Sequence, residues 1–366
     1  MKKKYFIHRL IILLFFFSTA KLLSAQQRFT CATPKPTGAA RLVPPSYQRP
    51  EDISGMRMIR LFIYVTKSEL SSAQPAQTEE NILAHFEVMR QQFAPHGICF
   101  TIAGMIEVVS DELAYINPGD PEDSARLSFL ANIRPDCLTV FIHKDIAGSV
   151  IGSAWNIPNN FVSLEGGYVW GGYPVLASHE IGHALGLLHT FEDYYGEEWV
   201  ARSGGCSNCS VAGDLVCDTE ADKDIPSYFF TNCAYTGSLT DACNNPYVME
   251  PDNVMSYNAL VSCLGLYGFT AGQAARMHYT IDNTPILQNV LLNTTSLTII
   301  TNQNYNSGSY HFTARNSISL NASSYIVTGT TGFQMSSAEI TINPGATLST
   351  SGGSGLVVLR ANTMCQ

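Results

Sequence analysis

The sequence predicts an α/β (α+β) fold. It would contain a mixed twisted sheet with one central helix, an irregular Cys-rich lower subdomain and a small all-β C-terminal module. Three observations predict it. Apolar stretches of strand, helix, strand and strand character succeed one another between residues 58 and 164. Six of the ten cysteines crowd between Cys206 and Cys263. After about Pro285 the chain turns rich in Ser, Thr, Asn and Gly, with short alternating runs. At 366 residues, 45% hydrophobic and 14% charged, it can bury a sizeable core and a second, smaller unit.

Residues 1–25 read as a secretory signal. Lys2, Lys3, Lys4 and Arg9 precede the apolar Ile11 to Phe17, and the segment ends in the small Ala25. The apolar run is too short for an anchor, and no other segment is long enough to cross a bilayer. Losing Lys2, Lys3, Lys4, Arg9 and Lys21 takes the formal charge from −9 to −14. So acidic a chain is a poor partner for nucleic acid or an anionic membrane. The expectation is a secreted monomer, in the extracellular space or at the cell surface. Its cysteines, all beyond the signal, should then form disulfides.

Residues 26–56 carry Pro34, Pro36, Pro44, Pro45 and Pro50 and little apolar periodicity, so they form an extended lead. Residues 58–66 (MIRLFIYVT) read as a strand, and Glu79 to Phe93 as a helix with Ile82, Leu83, Phe86, Met89 and Phe93 at helical spacing. Ile98 to Val109 and Cys137 to His143 are further strands. Phe161 to Leu164 reads as a short edge strand, and Asn156 to Leu164 as the stretch that would pair with an extended ligand.

The next stretch, HEIGHALGLLH, carries chemistry. His179 and His183 are four apart and share one helix face, so their imidazoles can grip one Zn²⁺. Glu180 between them suits a general base acting on a water at that ion. Gly186 can end the helix in a left-handed conformation, which lets His189 approach as third ligand. Three neutral histidines leave a fourth position open, as a catalytic site requires. Ile181, Ala184, Leu185, Leu187 and Leu188 would equally make a core stripe. The glycine and third histidine favour the metal.

Cys31 in the lead has two readings: a thiolate placed on the metal that keeps an enzyme latent, or a disulfide partner. If it is the former, nine cysteines remain and at least one stays unpaired. Cys206 and Cys209 form a CxxC, but a zinc ribbon needs a second one, which is absent.

After His189 come Gly213-Asp214-Leu215-Val216-Cys217-Asp218-Thr219, then Asn253-Val254-Met255-Ser256-Tyr257, then Phe269-Thr270-Ala271-Gly272-Gln273 with Arg276-Met277. With the histidine stretch, these ordered motifs resemble the pappalysin (cytophagalysin-like) family of metzincin zinc metallopeptidases, across about residues 57–285. The sequence departs from the family pattern at Pro174 to Ser178 and at Glu220. Ala32 also stands where a glycine usually follows the switch cysteine. The resemblance implies a metzincin-type zincin fold and roles residue by residue. Met255 would floor the three imidazoles in a Met-turn, and Tyr257 would stabilise an oxyanion. Asp214 and Thr219 would hold a structural Ca²⁺, and Cys31 would act as a cysteine switch.

The resulting domain plan is a signal (1–25), a pro-segment or lead (26–56), a catalytic domain (57–285) and a β-rich accessory unit (286–366), coiled or solenoid-like. Two function classes follow. One is a secreted zinc endopeptidase acting on proteins or peptides, possible as a zymogen. The other is a surface adhesion or binding protein on a structural scaffold. The intact Glu180 separates them, because a structural zinc site needs no carboxylate beside its first ligand.

Overall fold

The computed structural model describes residues 30–48, 56–69, 78–171, 173, 175–225, 230–231, 234–249, 252–257, 268–299, 303–305, 309–321, 325–328, 332–351 and 356–361. The signal segment, Phe29, Pro174, Cys233, Cys263 and Cys365 lie outside them. Among the described residues no helix is long and apolar enough to cross a membrane.

A six-stranded mixed sheet forms the frame. It contains the N-terminal strand β1 (Thr30–Cys31), β2 (Arg57–Lys67), β3 (Ile98–Val109), and the strands Leu138–His143, Val150–Ser153 and Phe161–Glu165. Their spatial order is β1, Val150–Ser153, Phe161–Glu165, Leu138–His143, β2, β3. All pairings are parallel except that between Val150–Ser153 and Phe161–Glu165. The parallel strands are covered on both faces, which is why they read as unbroken apolar runs. Ile59, Leu61, Ile63 and Val65 of β2 face one layer, and Phe62 and Tyr64 face the other.

The first layer holds helix α1 (Glu79–Phe93) and the helix Leu176–Ala184. Thr78 caps α1, accepting from the Asn81 backbone N–H, and Ile82, Phe86, Met89 and Phe93 bury its inner stripe. The opposite layer holds the helix Pro121–Ala131, with Asp120 as its cap, around Leu127, Phe141 and Phe161. That helix has no counterpart in the sequence reading, although Asp-Pro is a helix-start signal.

The sequence expectation for the edge strand is corrected. Phe161–Glu165 lies between two neighbours and is buried on both faces. The strand beyond it is Val150–Ser153, whose outer side is taken by β1. Valine, isoleucine, glycine and serine alternate too weakly to announce a strand, whereas Phe-Val-Ser-Leu reads strongly because it is interior.

Beyond Glu192 the chain is mostly irregular, fastened by disulfides Cys206–Cys243 and Cys209–Cys217. The CxxC is thus split between two bridges. Cys99 is also disulfide-bonded. Cys31 and Cys137 are free thiols. The helix Ala271–Asp282 returns to the core, and Leu287 and Val290 still pack there.

Residues 296–361 wind into three coils of a three-sided parallel solenoid. Each side is a three-stranded parallel sheet in register: Ser296–Ile299 with Ser317–Leu320 and Glu339–Ile342 on one side, for example. Ile318, Leu320, Tyr325, Val327, Phe333 and Met335 fill its interior.

Candidate metal centre

The helix Leu176–Ala184 carries His179 and His183 one turn apart, both buried. It ends at Leu185, and Gly186 follows with φ +100°. A Cβ there would lie 2.4 Å from Thr280 Oγ1, so glycine is needed for both conformation and space. The Arg276 Nε–H donates to the Gly186 carbonyl at 2.8 Å and pins the turn that carries His189 back.

The three Nε2 atoms converge. They stand 3.2 Å (His179–His183), 3.3 Å (His179–His189) and 3.1 Å (His183–His189) apart. Nitrogens at about 2.0–2.1 Å from a tetrahedral zinc stand about 3.3 Å apart. The ring protons are assigned elsewhere. His179 Nδ1 sits 2.7 Å from the Val254 carbonyl and His183 Nδ1 sits 2.8 Å from the Leu187 carbonyl. Each Nδ1–H donates there, so each Nε2 lone pair faces the common centre. Burial keeps all three rings neutral: His179 is lowered to about 4, and His183 and His189 fall further because neighbouring imidazoles add to the effect. Three lone pairs so close together repel unless a cation lies between them. The Cys31 sulfur completes a four-atom set whose members all lie within 4.8 Å of one another.

Glu180 is fully buried beside this centre, its Oε1 without a hydrogen-bond donor. Burial pushes its carboxyl up to about 8. It fits beneath the Val150–Ser153 strand because residue 152 is glycine; a Cβ there would stand 2.5 Å from Oε1. The Tyr257 hydroxyl accepts from the Cys31 N–H at 2.8 Å and donates to the Cys31 carbonyl at 3.0 Å. Its ring lies edge-on to His189, with centroids 4.8 Å apart.

Met255 is fully buried against the helix, and a Cβ at Gly182 would stand 2.7 Å from its sulfur. Asn253 Oδ1 accepts from the Met255 N–H at 2.9 Å. The Asn253 and Gln273 amides pair with each other at 3.0 and 3.1 Å, and Gln273 closes the capping box with Thr270. Asp222 Oδ2 accepts from the hydroxyls of Thr190 and Ser256 at 2.6 Å, tying the segment after His189 to the Met255 turn. Thus His179, Glu180, His183, His189, Cys31, Met255 and Tyr257 come together. Asn253, Asp222, Gln273 and Arg276 support them, and sequence reasoning gave these four no role.

Asp214 and Thr219 lie elsewhere, in the Cys-rich loop. Asp214 Oδ1 accepts from the Val216 N–H at 2.9 Å and from the Thr219 hydroxyl at 3.2 Å. Glu198 packs on the Gly213–Asp214 backbone. Asp214 Oδ2 and Glu198 Oε2 are buried with no donor.

Residues 172–282 match the family model described as pregnancy-associated plasma protein-A. Among curated proteins, the chain is 25% identical to extracellular metalloprotease 1 of Coccidioides posadasii over 246 residues, covering 62% of this chain and 77% of that one. It is 26% identical to an extracellular metalloprotease of Pyricularia oryzae over 285 residues, 71% of this chain and 91% of the other. A third such protein, from Sordaria macrospora, is 27% identical over 240 residues, 60% and 73% of the two chains. The three histidines lie inside the matched stretch, and that stretch is similar to the pappalysin-type zinc metalloproteases.

Proposed function

We propose that this is a secreted, monomeric zinc endopeptidase of metzincin-type fold, made as a latent precursor. Its catalytic domain is residues 57–285, preceded by a signal (1–25) and a pro-segment (26–56) and followed by the solenoid. The observation that carries the reading is the convergence of three Nε2 lone pairs at zinc-ligand spacing, with a buried carboxylate beside them. His179, His183 and His189 hold the ion. When bound, it acidifies a water and polarises the scissile carbonyl. Glu180 takes the proton of the attacking water and hands it to the leaving amine. Tyr257 donates its hydroxyl to the developing oxyanion. Met255 packs under the imidazoles and keeps their spacing. In the precursor Cys31 supplies the fourth ligand. Among the described residues, Cys137, buried and free, is a cysteine left unpaired.

The test is hydrolysis of a denatured protein by the processed chain, with and without chelator, beside Glu180→Gln. The variant should keep one zinc per chain and its melting temperature, and lose about 10²–10⁴-fold in rate. Cleavage at the wild-type rate would remove Glu180 from the mechanism.

A Ca²⁺ ion belongs at Asp214 and Thr219, with Glu198 joining them. Both carboxyls are raised by burial, and the Asp214 charge adds to the rise at Glu198. Their donor-free oxygens suit a hard cation. Arg202 offsets part of that charge, donating to Glu198 and to the Thr219 carbonyl. Added Ca²⁺ should raise the melting temperature of the zinc-loaded chain by about 5 °C and leave that of Asp214→Asn unmoved. Equal responses would refute the assignment.

A further inference from the structure

We infer that latency in this protein is a peptide lock and not a thiol switch: Cys31 to Thr33 engage the metal position, the base and the oxyanion tyrosine at once, and loss of the thiol alone leaves the site closed. The inference rests on the metalloprotease reading and deepens it.

The lock is first a strand. The Thr30 N–H donates to the Ser149 carbonyl at 3.2 Å, and the Ala32 N–H donates to the Gly152 carbonyl at 2.9 Å. The Thr30 hydroxyl adds a bond to the Ser149 carbonyl at 2.8 Å. β1 therefore fills the free side of Val150–Ser153, the edge an extended substrate would need.

The second part is Thr33. Its hydroxyl donates to Glu180 Oε2 at 3.1 Å and accepts from the Ala154 N–H at 2.7 Å. The Cys31 thiol also reaches Glu180 Oε2, at 3.3 Å. A thiol that binds a cation has lost its proton. That contact then disappears, and Thr33 remains to hold the base. The Thr33 N–H, 3.3 Å from the sulfur, is positioned to steady the thiolate. Third, the Cys31 peptide saturates the Tyr257 hydroxyl from both sides. The thiol also donates to the Thr33 hydroxyl at 3.0 Å. The strand bonds of Thr30 and Ala32, the Thr33 hydroxyl's bonds to Glu180 and Ala154, and the bonds of Tyr257 do not use the Cys31 side chain.

Release must come from cutting the chain. Beyond Thr33 the lead is held by an exposed Lys35–Asp193 pair, worth little, then by Arg276 at the Arg41 carbonyl. Tyr47 anchors it further on, donating to Asp282 at 2.6 Å and packing edge-on to Tyr279. Pro34, Lys35, Thr37 to Ala39, Arg41, Leu42 and Pro44 to Ser46 are exposed between these anchors. A cut among them separates the lock strand from Tyr47.

The experiment compares full-length precursors: wild type, Cys31→Ala, Thr33→Val and the double variant. Each is tested before and after clipping of the exposed lead by an added protease. Amide exchange at Ala32 and Ala154 is followed in zinc-loaded and zinc-free protein. Cys31→Ala should run at less than about a tenth of the clipped enzyme's rate, with both amides still protected with and without zinc. Thr33→Val should release the Ala154 amide, and the double variant should gain about tenfold in rate over Cys31→Ala. Full activity of unclipped Cys31→Ala, or rapid exchange of Ala154 in the zinc-free wild type, would overturn the lock. If the clipped wild type hydrolyses nothing, the protease reading fails, and amide protection still decides whether the strand and Thr33 hold as described.

Discussion

His143 shows how much of this molecule rests on single proton placements. It is fully buried between two acceptors with one ring proton to share. The Trp155 indole N–H donates to Ser163 Oγ at 2.9 Å. The Ser163 hydroxyl proton therefore goes to His143 Nε2, also 2.9 Å away, and His143 Nδ1–H goes to the Leu113 carbonyl at 2.6 Å. Burial disfavours the charged ring, outweighing the Leu113 carbonyl and Asp123, which favour it. The group is accordingly lowered to about 4. Free imidazole titrates near 6.5. Between those values the unfolded chain binds a proton that the native chain refuses, so stability falls as pH drops and is fully present above pH 6.5. Between pH 7 and 5 the contribution lost is about 2 kcal/mol. Urea midpoints at the two pH values should therefore separate more in wild type than in His143→Gln; equal separations would contradict the assignment. Nothing in the sequence marks this residue. The HEIGHALGLLH stretch was legible because its spacing repeats a helix turn and ends in a glycine. His143 meets Ser163, Arg276 meets Gly186 and Thr33 meets Glu180 at separations of 20, 90 and 147 residues, and no local pattern encodes these contacts.

At the scale of elements, long interior strands and α1 were legible because burial leaves a continuous or 3.6-residue apolar signature. The edge was not, because Val150–Ser153 is only four residues long and alternates weakly. The co-occurrence of Asn253-Val254-Met255 with Thr270-Ala271-Gly272-Gln273 also becomes physical. Gln273 is buried and serves two elements. Its carbonyl oxygen accepts from the Thr270 N–H at 2.9 Å to close the helix cap, and its amide pairs with Asn253, which holds the Met255 N–H. One helix start therefore holds the turn that carries Met255. Gln273→Ala breaks the cap and leaves the half-buried Asn253 without its partner. It should cost about 2–3 kcal/mol and speed zinc loss to a competing chelator. Gln273→Glu keeps the cap and so should recover part of the stability. A variant with unchanged stability and zinc off-rate would show that the two motifs are independent.

For the whole molecule, the question is how the solenoid relates to the sheet. β3 is the far edge strand, and an exposed strand edge invites aggregation. Here the solenoid covers it with side chains. The Gln334 amide mimics a neighbouring strand, accepting from the Met105 N–H at 3.2 Å and donating to the Met105 carbonyl at 3.0 Å. Thr101 and Ser336 share a hydrogen bond of 3.1 Å. The register between β2 and β3 slips at Leu61/Phe62, and Gly104 beside that slip leaves room for the His311 ring, which lies 5.0 Å from Phe62. Arg315 donates to the carbonyls of Leu292 and Met56, and Arg360 bridges Gln334 to Glu79 on α1. Composition alone could flag the change after Pro285, but a cover for β3 depends on contacts more than 200 residues apart. Buried, mutually satisfied polar contacts of this kind couple two units into one cooperative transition. Calorimetry of the full chain should show a single peak. A chain ending at residue 292 should melt lower and aggregate on heating, and Gln334→Ala, which leaves the Met105 amide facing a hole, should lower the same peak by about 1–2 kcal/mol. Two separable peaks, or a truncated chain as stable and soluble as the full one, would make the solenoid an appendage and not the lid of the sheet.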